Sequence, residues 1–228
     1  MRYERIMLSE LQQHLNDIYR VEGAHDVRDY LVTDPAVAKI LGRDAMLTNT
    51  QESVLVVEDE GGIALSVFLD RELLDRLGAA NPMTKLRANQ LADLWTVLEG
   101  ISHFNYIVWS ASRERPVTLL ELELQAEVDK FVSTLLLAVE QGDRDLVNRL
   151  HGWLFDQVSF KAELEPEQYE RYRAANEYAA RLCNGLRQGL IDRSGGAMEE
   201  LRRFYRLTQS EKISHIHSRA WARAGWQG

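Results

Sequence analysis

The sequence predicts an α+β protein that is predominantly α-helical, and three observations carry that reading. Apolar residues recur at helical spacing behind recognisable caps over most of the chain, and beyond Pro82 every segment follows this pattern. Two β-branched-rich runs, Val54-Leu55-Val56-Val57 and Ile63-Ala64-Leu65-Ser66-Val67-Phe68-Leu69, flank Glu58-Asp59-Glu60-Gly61-Gly62 and read as one β-hairpin at about 53–69. The composition, 228 residues with 45% apolar side chains and four prolines, is that of an ordinary globular chain. The architecture expected is a helical bundle around a buried central helix at about 90–111 with one hairpin. All 228 residues fit a single compact domain, with 1–80 (N-terminal helices plus hairpin) and 83–222 (helical bundle) as subregions.

Taken in order, Ser9 and Gln12 form an S-x-x-Q capping box. Leu11, Leu15, Ile18 and Val21 then follow at helical spacing up to Gly23, predicting a helix over about 10–22. Asp34-Pro35 and Gly42 bracket a short helix at 35–41 whose apolar positions are Val37, Ile40 and Leu41. Both runs of the hairpin are more continuous than alternating, which predicts helical cover on both faces. Asp70 caps a helix carrying Leu73, Leu74 and Leu77, closed by Gly78.

The helix at about 90–111 holds Leu94, Val97, Leu98, Ile101, Phe104, Val108 and Trp109 on one broad face. Thr118 with Glu121 makes a second capping box, opening a helix to about 140. Leu120, Leu124, Val128, Phe131 and Leu135 form its stripe, with Glu123, Glu127 and Lys130 opposite. Asp143 starts a helix through Leu146, Val147, Leu150 and Leu154, and Glu165-Pro166 starts a longer one running to Leu190. Ser194-Gly195-Gly196 reads as a flexible break before a helix at 198–206. Thr208 with Glu211, a third capping box, opens the last helix to about 222.

The formal charge is −8, which divides into −11 over residues 1–196 and +3 over 197–228. The N-terminus has no apolar signal core, and the least charged stretch, 94–112, still contains Glu99, His103, Asn105 and Ser110, so neither a secretory signal nor a membrane span is expected. One cysteine, Cys183, cannot form an internal disulfide and fits a reducing cytoplasm as an inert buried thiol. Phosphate-binding glycine loops, a G-x-S-x-G elbow, H-E-x-x-H and paired C-x-x-C motifs are all missing from the sequence.

Two constellations could carry chemistry. Glu99 and His103 are one turn apart on the central helix, and Glu121 and Gln125 sit at the edge of the apolar arc of the next. Carboxylate and imidazole on adjacent helices can hold a divalent metal ion. The alternative for these residues is an intrahelical Glu99–His103 ion pair and a cap residue at Glu121. Arg202, Arg203, Tyr205 and Arg206 interleave cations with an aromatic, the mix that contacts phosphate or RNA; the alternative is a helix docked through Phe204 and Leu207. The leading expectation is a cytoplasmic, non-enzymatic interaction or regulatory protein. It would contact a protein partner or a second copy as a homodimer, with Trp153, Tyr169, Trp221 and Trp226 as anchors. A metal-dependent helical enzyme or ligand binder, and RNA contact through the C-terminal segment, are the competing readings.

Overall fold

A computed structural model describes residues 2–23, 25–42, 50–59, 62–158 and 164–224 of the chain. It is an α+β fold, predominantly helical, and its residues group into two units that divide between Trp109 and Ser110. The first comprises residues 1–17 and 21–109; the second comprises Ile18–Arg20 and 110–228.

The first unit begins with helix α1 (Arg2–Tyr19), whose last residues belong to the second unit. The helix starts well before Ser9, because Met7 and Leu8 continue the buried stripe of Leu11 and Leu15 toward the N-terminus. Ser9 is therefore an interior position and not a cap, and its hydroxyl donates to Asp26 Oδ2 at 3.4 Å. The helix stops at Tyr19, three residues short of expectation, where Arg20 takes a left-handed φ of 51°.

Strand β1 (Leu31–Val32) runs parallel to β3 (Gly62–Leu69), which pairs antiparallel with β2 (Glu52–Asp59), giving the order β1-β3-β2. The expected hairpin is thus the larger part of a mixed three-stranded sheet; Glu60 and Gly61 of its turn lie outside the described residues. Between the strands comes α2 (Pro35–Gly42), where Asp34 Oδ1 accepts from Ala36 N at 2.8 Å. Its Ala38 packs with Leu55 and Phe68 on one face of the sheet. The cover is less complete than the sequence suggests: Val56, on the side of β2 opposite Leu55, is half exposed, and Ala64 of β3 is exposed.

Helix α3 (Arg71–Gly78) is capped as expected, Asp70 Oδ1 accepting from Glu72 N at 2.9 Å and Leu73 N at 3.1 Å. Helix α4 (Leu91–Ala111) crosses the sheet at Gly100. A Cβ there would lie 3.1 Å from Glu52 Cγ and 3.2 Å from Leu69 Cδ2, so glycine sets how close helix and strands come.

In the second unit α5 (Leu119–Glu140) is the central element, with α6 (Arg144–His151) and α7 (Pro166–Ile191) packed on it. Leu124, Val128, Phe131 and Leu135 are buried as the stripe requires. Burial extends to the side expected to face solvent, because α7 covers it: Lys130 is buried and donates to Glu127 at 2.6 Å, and Arg171 of α7 stands 3.9 Å from Glu123. Helix α6 ends at His151, and Leu154 sits instead in a wider π turn over Gly152–Asp156. Ser194-Gly195-Gly196 is a helix start and not a break. Ser194 Oγ accepts from Ala197 N at 3.3 Å, and α8 (Gly195–Arg206) begins with both glycines. The last helix, α9 (Gln209–Ala224), follows the third capping box: the Glu211 carboxylate accepts from Thr208 N at 2.8 Å and is held below the usual carboxylate range by that bond. Among the described residues no helix is long and apolar enough to cross a membrane.

Candidate functional site

The polar residues singled out from sequence are divided between the two units. His103 on α4 places Nδ1 at 3.6 Å from Glu52 Oε1 of β2, with both side chains nearly buried; Glu99, one turn earlier, is half-buried. This cluster lies in the first unit, whereas Glu121 and Gln125 belong to the second. Among the described residues no group of three or more His, Cys, Asp or Glu side chains stands together as a metal site.

Glu121 keeps half of the expected capping box, its backbone N–H donating to Thr118 Oγ1 at 3.1 Å. Its carboxylate turns inward to a 2.5 Å ion pair with Arg115 Nη2. Arg115 also donates to the carbonyl of Leu207 at 3.0 Å, tying the turn before α5 to the turn before α9. Thr118 and Gln209 make a further hydrogen bond between the same two turns.

One turn deeper on α5, Gln125 is wholly buried at the centre of a chain of hydrogen bonds. Its Nε2 donates to Asp129 Oδ1 at 2.7 Å and to Tyr19 Oη at 3.2 Å, and its Oε1 accepts from Lys212 Nζ at 2.5 Å. Tyr19 Oη donates to the same Asp129 oxygen at 2.5 Å, so a carboxylate, a phenol, an amide and an amine are joined in sequence. Lys212 has 0% of its surface exposed, and its Nζ lies 4.9 Å from the centre of the Phe204 ring. Burial pulls the Lys212 ammonium down to about 7, while the charges of Glu121 and Asp129 work in the opposite direction. Tyr19 is driven well above the usual tyrosine range by burial and then by Asp129, and burial does the same to Tyr205.

The Arg-Tyr segment of α8 faces the end of α1. Tyr205 is buried and stacks on Tyr19, ring centres 4.2 Å apart. Arg202 Nε donates to the carbonyl of Ile18 at 3.0 Å, and Arg206 Nη2 donates to that of Tyr19 at 3.1 Å. These carbonyls end a helix and have no partner within it, so cationic donors there are favoured by both hydrogen bonding and the helix dipole. Arg203 is exposed. Of the aromatic anchors expected at element ends, Trp153 lies 4.3 Å under the Arg149 guanidinium, Tyr169 is exposed, the side chain of Trp221 lies outside the description, and Trp226 lies outside the described residues.

Sequence reasoning passed over Tyr19, Arg115, Asp129 and Lys212. A signal was present: Gln125 and Asp129 are four apart inside an otherwise apolar arc, and Lys212 is four residues from the buried Ile216. Cys183 is buried, as expected, and burial raises its thiol well above the usual range. No family model, curated protein or solved structure matches this chain.

Proposed function

We propose that this chain is a non-enzymatic interaction protein of the cytoplasm that associates with a second copy of itself through the outer face of α2. The observation that carries the reading is the exposure of three apolar side chains at helical spacing, Val37 at 43%, Ile40 at 76% and Leu41 at 39%. Positions 37, 40 and 41 share one face of a helix, while the fully buried side chain of α2 is the small Ala38. A short helix that turns its larger apolar residues outward leaves surface whose burial contributes about 25 cal/mol per Å². The choice of a second copy rests on charge. Copies carrying −8 repel at long range, but α2 contains no carboxylate and one lysine, so the same face can meet itself around a two-fold axis without opposing acids. The cytoplasmic assignment rests on the single buried Cys183.

The test is sedimentation velocity on the full chain and on Ile40→Asp, a change at an exposed position that leaves the core intact. Wild type is expected to sediment with twice the chain mass and the variant as a monomer of unchanged circular dichroism. A wild-type monomer at every concentration, or a dimer indifferent to Ile40→Asp, overturns the reading.

A further inference from the structure

Helix α9 is held differently from its neighbours in the second unit. Helix α7 buries Ala175, Ala179, Leu182, Cys183, Leu186 and Leu190, and α8 buries Ala197, Leu201, Phe204 and Tyr205. Among the described side chains of α9, Ile216 is the one apolar residue fully buried, and its companion in the interior is Lys212. The remaining anchors are charged. His215 Nε2 lies 2.8 Å from Glu200 Oε1, and Arg219 Nε forms a 2.6 Å ion pair with the same oxygen, so two α9 side chains converge on a single carboxylate of α8. Lys212, His215 or Ile216, and Arg219 follow one another at three- and four-residue steps, which puts all of them on the inward face.

Among the described side chains this attachment is specific in geometry yet poor in apolar burial. The Nη1 atom of Arg219 is buried without a hydrogen-bond partner, and it packs on Gly185 of α7, 2.6 Å from where a Cβ on that residue would be. A buried donor with no acceptor weakens docking, and releasing the helix returns that group to water. Undocking likewise rehydrates the Lys212 ammonium, whose burial opposes its charge. What it uncovers is Glu200, Asp129, Gln125 and the Arg115–Glu121 ion pair, three carboxylates against one guanidinium, a surface whose net charge matches a helix bearing Lys212 and Arg219.

We propose that α9 is a releasable latch: it leaves and re-enters, as one unit, an acid-lined seat on α5 and α8 suited to a basic helix. The lowest opening of the second unit is then the departure of α9 alone, with α5, α7 and α8 remaining folded.

Hydrogen exchange read by mass spectrometry on the full chain tests this. Amides of α9 over 211–219 are expected to exchange at least about tenfold faster than those of 175–190 in α7, as a sub-global opening requires. Their exchange should rise further between about 50 mM and 1 M salt, because ions screen the separated charges. Glu200→Gln weakens two charge-assisted bonds and should accelerate α9 about tenfold or more while leaving α7 unchanged. Equal exchange of the two helices at both salt concentrations overturns the proposal, as does an α9 opening that responds to neither salt nor Glu200→Gln.

Discussion

In the first unit Gln12 closes the loop after α1 with amide groups alone, its Nε2 donating to the His25 carbonyl and to Asn105 Oδ1, each at 2.9 Å, and its Oε1 accepting from Val27 N at 3.0 Å. Asn105 extends the set by donating to Asn16 Oδ1 at 3.3 Å, and Gly23 packs beside it, a Cβ there lying 2.6 Å from Asn16 Nδ2. In the second unit the same side-chain type, Gln125, joins an amine, a carboxylate and a phenol instead. Both arrangements satisfy buried polar groups and both pin a helix to non-local chain. They differ in what happens when a proton is gained or lost. Amides do not titrate, so the Gln12 set keeps its energy across the pH range, whereas the Gln125 set holds Lys212, pulled down by burial to about 7.

The largest way to break this comparison is to remove one charge from the second set. Asp129→Ala takes the acceptor from Tyr19 and Gln125 and a counter-charge from Lys212 in a dry site, a loss expected at about 3–5 kcal/mol. Urea denaturation with hydrogen exchange read at α5 and α7 checks it; a loss below about 1 kcal/mol would place this cluster among ordinary neutral hydrogen bonds. The smaller counterpart is Gln12→Ala. It strands the Val27 N–H and the His25 carbonyl but no charge, so about 1–3 kcal/mol is expected, and by the same amount at pH 7 and pH 9. A Gln12→Ala cost that changes with pH would mean that the amide set is coupled to a titrating group.

The contrast also explains what the sequence could and could not disclose. Caps are local, and Asp34, Asp70, Thr118, Asp143, Ser194 and Thr208 all sit where their chemistry demands, although Ser194 was obscured by the two glycines that follow it. Strand β1 is two residues long and exists because Tyr30 O accepts from Val67 N at 2.8 Å, a pairing no local pattern announces. Helix α5 looks amphipathic because Glu123, Glu127 and Lys130 share a side, yet α7 covers that side and supplies Arg171 to it. The charged cluster was hidden for a related reason. No local pattern joins a lysine on α9 to a glutamine on α5, and the fold brings 87 residues of separation down to one hydrogen bond between Lys212 and Gln125. Glu121 and Gln125 were legible as inward-facing polar groups, but their partners, Arg115 and Lys212, were not.

The pH dependence of the second unit tests the charged interior most directly. Lys212 titrates at about 7 in the folded chain against 10.5 when unfolded, so between these values the unfolded state binds the extra proton and stability climbs with pH. The climb ends near pH 9, where the thiol of Cys183, raised by burial, starts to ionise in the unfolded chain only, and past 10 the raised Tyr19 and Tyr205 turn the trend downward. From pH 7 to 9 the gain amounts to about 2 kcal/mol, because the folded lysine is already half deprotonated at pH 7. The measurement is urea denaturation of the full chain at pH 7, 8 and 9, read at α5 and α7 by pulsed hydrogen exchange, for wild type and Lys212→Met. The expected result is a wild-type stability that rises by about thirtyfold in equilibrium constant from pH 7 to 9, more steeply in the second unit than in the first, and a variant that lacks this rise. A flat or falling wild-type profile, or a rise that persists in Lys212→Met, would contradict a buried, proton-exchanging lysine at the centre of this unit.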